Sequence, residues 1–135
     1  MQCANEWWWP YQGVPVVWRG RDLRTGVDCY RLVEIVLPKH FGRDVELAPS
    51  ISPNESRGLV EARLHIEARK PHWQTVEWQE GAVCLWRVKS RPVHVGICLD
   101  WPHFLHADWV SKVVQLSSSE EARWLNKLEG CYLPP

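Results

Sequence analysis

The chain has 135 residues, a length that suits one domain with its own hydrophobic core and is short for two. Lys and Arg number 16, and Asp and Glu also number 16, so no net charge draws the chain to nucleic acid or to acidic lipid. No apolar run approaches the ~20 residues of a membrane-spanning helix, so the sequence predicts neither a general nucleic-acid binder nor a membrane-spanning protein.

An aromatic lead-in, residues 1–12, opens the chain. It contains three of the ten Trp residues in the run Trp7–Trp9, and such large rings serve equally in a core or at an interface. This N-terminus has no basic start followed by an apolar stretch, so no secretory signal is predicted. The five cysteines are an odd number without Cys-x-x-Cys spacing, which favours free thiols in a reducing cytoplasm over disulfides or a zinc knuckle.

The clearest helix start in the chain lies at Asp28. Asp is a good N-cap residue, and an apolar stripe with helical spacing follows it. Pro38 is expected to end this helix. Residues 43–58 have the composition of an irregular loop, and residues 58–70 predict a second, weaker helix.

The second half of the chain alternates apolar and polar residues, which is the pattern of strands. Residues 120–128 are expected to form a short helix capped by the serines at 117–119, and residues 129–135 an extended tail. A helical first half and a strand-rich second half predict a single α+β domain over residues 1–135. The predicted strands cover residues 83–88, 93–99, 104–109 and 112–116.

Cys29 directly follows the N-cap candidate Asp28 and therefore lies in the first turn of the predicted helix. A thiol becomes a strong nucleophile only when it is ionised, and the unpaired N–H groups and dipole of a helix N-terminus stabilise the thiolate. The same N–H groups can donate to an oxyanion that forms on a carbonyl under attack. A buried structural cysteine would occupy the same position equally well.

Two histidines lie on the predicted strands 93–99 and 104–109. If these strands form an antiparallel hairpin centred on Asp100, His94 and His106 lie directly opposite each other on one face. Even-numbered positions then carry the histidines, and odd-numbered positions carry an unbroken apolar set. The alternation along both strands is consistent with this hairpin.

A base hydrogen-bonded to a second polar ring is the arrangement that activates a thiol. We expect His94 to take the proton of Cys29 and His106 to hold the His94 ring in one tautomer. Two other interpretations stay open at this point. The histidines could be a polar cross-strand pair on a solvated face, or they could bind a metal together with Cys98 or Asp108, although no further ligand follows at a known spacing.

Three short segments, in this order along the chain, resemble motifs of the NlpC/P60 family of cell-wall cysteine peptidases. Residues 18–29 end in Gly-Val-Asp-Cys, and Leu-Val follows after two intervening residues, similar to the family's Gly-Gly-Arg…Gly-x-Asp-Cys-x-Gly-Leu-Val motif. Residues 94–97, His-Val-Gly-Ile, resemble a family strand of the same sequence. Residues 104–107, Phe-Leu-His-Ala, resemble the Leu-His-Ala strand. Residues 130–132, Gly-Cys-Tyr, are similar to the ending of short members encoded among phage tail genes.

The resemblance spans residues 13–133 and implies a papain-like α+β fold. In that fold the cysteine lies at a helix N-terminus, and the helix packs on an antiparallel sheet. The resemblance also implies hydrolysis of a peptide bond in the peptidoglycan stem peptide through an acyl-enzyme, without metal or cofactor. Carried over onto matching positions, Cys29 is the nucleophile, His94 the base and His106 the third, orienting residue.

The implied setting is a phage tail. The protein would be made in the host cytoplasm, assembled with tail-tip or baseplate proteins, and act at the bacterial cell wall. Three positions depart from the family pattern: Tyr30 and Arg31 replace a small residue and Gly, and Ala82 replaces Asp. These departures and the Trp content favour an alternative, a structural tail-tip or baseplate component with little or no activity. A thiol acyltransferase on the same fold is a third candidate, because water and another acceptor compete for one acyl-enzyme.

Overall fold

The computed structural model describes residues 6–18, 20–45, 72–89 and 91–135. Within them, an α-helix packs on a six-stranded antiparallel sheet, which confirms the predicted α+β class. The elements, after a 3₁₀ turn at Trp9–Tyr11, are β1 Arg21–Asp22, β2 Gly26–Val27, α1 Cys29–Phe41, β3 Gln74–Val76, β4 Val83–Val88, β5 Arg91–Cys98, β6 His103–Asp108, β7 Val113–Ser118 and β8 Leu128–Leu133.

Helix α1 begins where the sequence predicts it and ends later than expected. The Asp28 carboxylate accepts a hydrogen bond of 2.7 Å from the Arg31 N–H, which is an N-cap interaction. Pro38 lies inside the helix, so the expectation that it ends the helix is wrong. Proline removes only one N–H from the last turns, and the helix continues until Gly42 takes a left-handed conformation, with φ +62°, as its C-terminal cap.

The sheet has the strand order β3-β8-β4-β5-β6-β7, and every neighbouring pair is antiparallel. The expected helix over residues 120–128 is wrong, because residues 119–127 form turns instead. The Ser118 hydroxyl accepts from the Glu120 N–H at 3.1 Å, and the Glu121 carboxylate accepts from the Ser118 N–H at 2.7 Å, so a serine bonds the first turn as a cap would, but no helix follows. The expected tail at 129–135 is also corrected: β8 takes up most of it and pairs with both β3 and β4.

The β5–β6 hairpin has the predicted faces but a different register. Ile97 pairs with Leu105 and Cys98 with Phe104, so His94 and His106 are not directly opposite, and that expectation is wrong. The turn after β5 sets this register through the Leu99 N–H, which donates to the His103 carbonyl oxygen at 2.9 Å. The register differs from the predicted one by two residues, and because side chains alternate with a period of two, every side chain keeps its predicted face.

Two clusters of buried side chains lie on opposite faces of the sheet. The odd-numbered residues of β4, β5 and β6 pack against α1, and the even-numbered residues form a second cluster with Trp124 from the turns after β7. Members of the first cluster from β4, β5 and β6 are Val83, Leu85, Val95, Ile97, Leu105 and Ala107. Members of the second are Ala82, Cys84, Trp86, Cys98, Phe104, Trp124 and Cys131. The predicted apolar set therefore faces the helix.

Part of the aromatic lead-in packs onto the end of α1. The Trp7 ring lies 5.1 Å from the Phe41 ring and 5.2 Å from the His40 ring, between centroids. Tyr11 is buried, and its hydroxyl forms a 2.7 Å hydrogen bond with Nε2 of His40. Trp9 remains 57% exposed. Trp7, Trp8 and Tyr11 therefore belong to the domain's own packing, and Trp9 lies at the surface.

Some predictions fall on parts of the chain outside the described residues. These are the second helix at 58–70, most of the loop at 43–58, and Cys3. Among the described residues, no helix has the length and apolar character needed to cross a membrane.

Candidate active site

Cys29 is the first residue of α1, as predicted, and its side chain lies in the core on the helix side of the sheet. The residue is only 2% exposed. Burial raises the pKa of the thiol to about 12, and the nearby Asp28 carboxylate adds to this increase. The backbone N–H groups of Val95, Tyr30 and Cys29 itself act in the opposite direction, because they donate hydrogen bonds to the sulfur. The thiol is therefore protonated at neutral pH in this closed arrangement.

The short β1–β2 hairpin places Cys29 at this point. Arg21 pairs with Val27, and the Asp28 N–H donates to the Gly20 carbonyl oxygen at 3.3 Å, so the residues before the helix are held by backbone bonds. Gly26 has φ +136°, a conformation that side chains rarely adopt. Gly20 and Gly26 therefore determine the backbone conformation of the turn that places Cys29 at the start of α1.

His94 on β5 and His106 on β6 form a buried hydrogen-bonded pair. Nε2 of His94 lies 2.8 Å from Nδ1 of His106, and Nε2 of His106 lies 2.8 Å from the Ser117 hydroxyl on β7. The expected contact between the two imidazoles is thus confirmed, although the histidines are diagonal rather than opposite. Three adjacent strands contribute one member each to a continuous polar chain.

Burial keeps both imidazoles neutral. It lowers the pKa of His94 from 6.5 to about 4, and the positive charge of Arg123 lowers it further, while Asp108 opposes the shift. Burial likewise lowers the pKa of His106 well below 6.5, with a further contribution from His94. Neutral imidazoles are the form in which His94 can accept a proton.

The turns at 119–127 cover the histidine pair. The Trp124 ring stacks on the His94 ring, with centroids 5.4 Å apart and planes 18° apart. Arg123 binds the Asp108 carboxylate through two hydrogen bonds of 2.8 and 2.9 Å, and its guanidinium lies 4.5 Å from the Trp124 ring centre. Burial alone would raise the pKa of Asp108, but the bonds from Arg123 and from the Val110 N–H lower it to about 2.

The structure brings His94 and His106 together and places Cys29 beside the backbone of the same strand. The link between the cysteine and the histidine strand runs through the Val95 N–H, the residue next to His94. Within the described residues, no hydrogen bond joins the thiol to His94, whose side chain contacts Trp124 and His106 instead. Cys29 and His94 are each 2% exposed, so the arrangement is a closed one.

In the described part of the chain, no set of side chains supports the interpretation of the histidines as metal ligands. No three His, Cys, Asp or Glu side chains converge there as metal ligands would. Asp108, one of the proposed ligands, is bound to Arg123 instead. Cys98, the other, lies in the second core cluster with its sulfur 3.9 Å from that of Cys131.

Sequence reasoning missed three residues around the pair, namely Ser117, Arg123 and Trp124. Ser117 was assigned to a helix cap because the predicted fourth strand stopped at residue 116. Extending the alternation of that strand by one residue would have placed Ser117 on the face of the histidines, since it pairs with Phe104. The two residues of the turn carry no such local signal.

Several solved structures of NlpC/P60 proteins resemble this chain. An NLP/P60 family protein from Staphylococcus aureus, described as similar to lipoprotein, matches with a TM-score of 0.65 at 20% identity, over 92% of this chain and 37% of that one. The NlpC/p60 domain of the peptidoglycan hydrolase SagA matches with a TM-score of 0.56 at 23% identity, over 94% and 92%. An NlpC/P60 family protein from Bacillus cereus matches with a TM-score of 0.63 at 18% identity, over 92% and 37%.

These likenesses establish the fold. The chain spans 37% of the length of the Staphylococcus aureus and Bacillus cereus proteins. Comparison with curated protein sequences gives no match. The sequence profile of the NlpC/P60 family, however, matches residues 13–131, nearly the whole chain. On the strength of that match and the shared α+β architecture, this chain belongs to the NlpC/P60 family.

Proposed function

We propose that this chain is a cysteine peptidase that hydrolyses peptide bonds in the stem peptides of bacterial peptidoglycan. The observation that carries the proposal is the 2.8 Å hydrogen bond between His94 and His106. His94 lies on β5, and the backbone of the same strand contacts Cys29, the first residue of helix α1. The structural similarity of this chain to the NlpC/p60 domain of the peptidoglycan hydrolase SagA supports peptidoglycan as the substrate.

In the proposed reaction, Cys29 is the nucleophile and His94 the base. Nε2 of His94 is bonded to His106, so Nδ1 is the nitrogen left to take the thiol proton. The sulfur then bonds to the scissile carbonyl carbon, and backbone N–H groups at the start of α1 donate to the oxyanion. Collapse breaks the C–N bond while His94 protonates the leaving amine, and water hydrolyses the thioester to release the acid.

This chemistry requires the closed arrangement to open. Cys29 and His94 are almost fully buried, and the thiol loses most of its desolvation penalty only when it gains polar contacts. We propose that substrate binding moves the turns at 119–127 away from His94 and brings its imidazole to the thiol, so that the ion pair forms only with substrate in place.

The decisive experiment measures release of new amino groups from purified peptidoglycan by the wild-type chain, by Cys29→Ala and by Cys131→Ala. Cys131 is a buried thiol of the second core cluster and controls for the loss of a cysteine as such. Turnover in the wild type and Cys131→Ala, but not in Cys29→Ala, supports the peptidase. Absence of turnover in well-folded wild-type protein overturns it.

We further propose that the peptidase acts as part of a phage tail, made in the host cytoplasm and carried with tail-tip or baseplate proteins to the cell wall. Its support is the Gly-Cys-Tyr pattern at 130–132, which resembles a pattern in short members of the family encoded among phage tail genes. Mass spectrometry of purified tails from the encoding phage tests this setting. Detection of the chain only in cell lysate, and never in tails, would contradict it.

A second candidate is a structural tail component that retains the fold with little or no activity. The closed site favours it, because the thiol with a pKa of about 12 is a poor nucleophile and Tyr30 beside it is 3% exposed. Arg31 is held on the helix by Glu34 at 3.4 Å, and Ala82 is fully buried. An inactive chain that is present in tails at fixed stoichiometry would support this candidate over the peptidase.

A further inference from the structure

The Ser117 hydroxyl ends the polar chain that starts at His94. It lies 2.8 Å from Nε2 of His106, and both residues are buried. Among the described residues, this is the only side-chain hydrogen bond of Ser117. A buried hydroxyl without a partner is costly, so the bond to His106 accounts for a serine at this position of β7.

The hydrogen bonds restrict which tautomers the two imidazoles can adopt. Only one proton can lie between Nε2 of His94 and Nδ1 of His106, so the two neutral rings must share the same tautomer. If that proton belongs to His94, both rings carry their proton on Nε2, and His106 donates to Ser117. If it belongs to His106, both carry it on Nδ1, and Ser117 donates to His106.

Only the first arrangement leaves a lone pair on Nδ1 of His94. We propose that Ser117 is a positioning residue that accepts a hydrogen bond from Nε2–H of His106 and thereby keeps Nδ1 of His94 free to take the proton of Cys29. The catalytic consequence rests on the proposed peptidase function, whereas the tautomer assignment is a property of the resting protein.

The hydroxyl oxygen of Ser117 suits this role because it can accept from Nε2–H of His106 in both charge states of His94. When His94 becomes doubly protonated, its Nε2–H donates to His106, and Ser117 still accepts at the far end. His94 can therefore become positively charged without the loss of a hydrogen bond between His94 and His106 or between His106 and Ser117. Removing the hydroxyl leaves Nε2–H of His106 buried without an acceptor, which favours the opposite tautomer of both rings.

The test is a long-range proton–nitrogen correlation spectrum of the uniformly nitrogen-15-labelled chain near pH 7.5. The signals are assigned through His94→Gln and His106→Gln. In the wild type we expect both rings to carry their proton on Nε2. In Ser117→Ala we expect the ring signals to move toward the Nδ1–H form, and in Ser117→Thr, which keeps the hydroxyl, we expect the wild-type pattern. Ser118→Ala, the neighbour on the opposite face of β7, should also leave the pattern unchanged.

Turnover of peptidoglycan is measured on the same proteins. We expect kcat of Ser117→Ala to fall about tenfold with KM unchanged, as for the loss of one hydrogen bond in the transition state, and Ser117→Thr to restore it. Wild-type rings that both carry the proton on Nδ1 would overturn the inference, even if Ser117→Ala fails to fold. Unchanged tautomers in folded Ser117→Ala would do the same. The expected spectra in a chain without turnover would support the tautomer role of Ser117 and overturn the peptidase instead.

Discussion

The Trp124 indole stacks on the His94 imidazole, with ring centroids 5.4 Å apart and planes 18° apart, and meets the His106 ring edge-on at the same distance. The two imidazoles therefore share one aromatic cover, which comes from the turns between β7 and β8. Arg123 fixes those turns to β6 through Asp108. The two imidazoles thus stay neutral because the turns at 119–127 bury them, although these turns contain none of the three proposed catalytic residues.

Acidification should destabilise the protein through His94. The pKa of His94 is about 4 in the native state, mainly because of burial, whereas an unfolded imidazole titrates near 6.5. The unfolded state binds more protons between these values, so the histidine's contribution is complete above pH 6.5 and is lost as the pH falls toward 4. The gap corresponds to about 3 kcal/mol in the free energy of unfolding.

Urea unfolding at pH 7 and pH 4.5 measures this loss. His94→Gln removes the titrating group and should flatten the dependence, while His106 retains part of it because its pKa is lowered in the same direction. An equally steep dependence in His94→Gln would show that other groups cause the acid sensitivity.

Loss of the Arg123 guanidinium should destabilise the fold moderately. Asp108 is 2% exposed and would keep only its bonds from Gln115 and from the Val110 N–H. Arg123→Met should lower the free energy of unfolding by about 1–2 kcal/mol, a reduced cost because the arginine itself is partly solvated. Thermal or urea unfolding checks this value.

Arg24→Met is the matched control. Arg24 also pairs with an aspartate, Asp22, but that pair is exposed, with side chains 89% and 46% accessible. The control should stay within about 0.5 kcal/mol of the wild type. Equal effects of the two substitutions would mean that the burial of Asp108 does not matter.

Cys29 should resist alkylation in the resting protein. Raising the pKa of a thiol from 9.0 to about 12 lowers its ionised fraction at pH 7.5 about a thousandfold, and burial further hinders the reagent. Iodoacetamide labelling followed by peptide mass spectrometry should give slow modification of Cys29 in native protein and fast modification in urea. Fast labelling of Cys29 in the native protein would contradict the closed arrangement.

Gly20→Ala should disturb the turn that delivers Cys29 to the helix. A Cβ atom at Gly20 would overlap the carbonyl oxygen of Gly26, a backbone atom that cannot move without shifting β2. We expect a loss of about 3 kcal/mol in the free energy of unfolding. Gly13→Ala is the control, because Gly13 has φ +86° but open space around it, and should cost about 1 kcal/mol. Equal costs would mean that the close approach of Gly20 to Gly26 contributes nothing.

Several parts of the fold follow from local pattern. The N-cap of α1 at Asp28 and the faces of β4, β5 and β6 were predictable, because capping and side-chain alternation depend only on neighbouring residues. The same alternation was sufficient to place His94 and His106 on one face. It could not distinguish hairpin registers that differ by two residues, since both give the same faces.

Other parts depend on contacts between residues far apart in the chain. The composition of residues 120–128 favours a helix, but the carbonyl oxygens of Asn126 and Lys127 accept hydrogen bonds from Arg87 on β4, and Trp124 packs into the second core cluster. The residues that follow pair with both β3 and β4. The C-terminal residues therefore become an internal strand. This outcome was invisible locally because β3 precedes β8 by about fifty residues in the sequence.

Some features of the candidate site likewise follow from local sequence, and others depend on tertiary packing. Residue type and spacing were enough to name Cys29, His94 and His106, because a thiol at a helix start and two histidines on one strand face are local features. The burial of the thiol, the Ser117 hydroxyl at the end of the histidine pair and the Trp124 cover arise only when α1, β7 and the β7–β8 turns pack around the sheet. Desolvation and hydrogen-bond partners, which set the pKa and tautomer of each group, are properties of that packing.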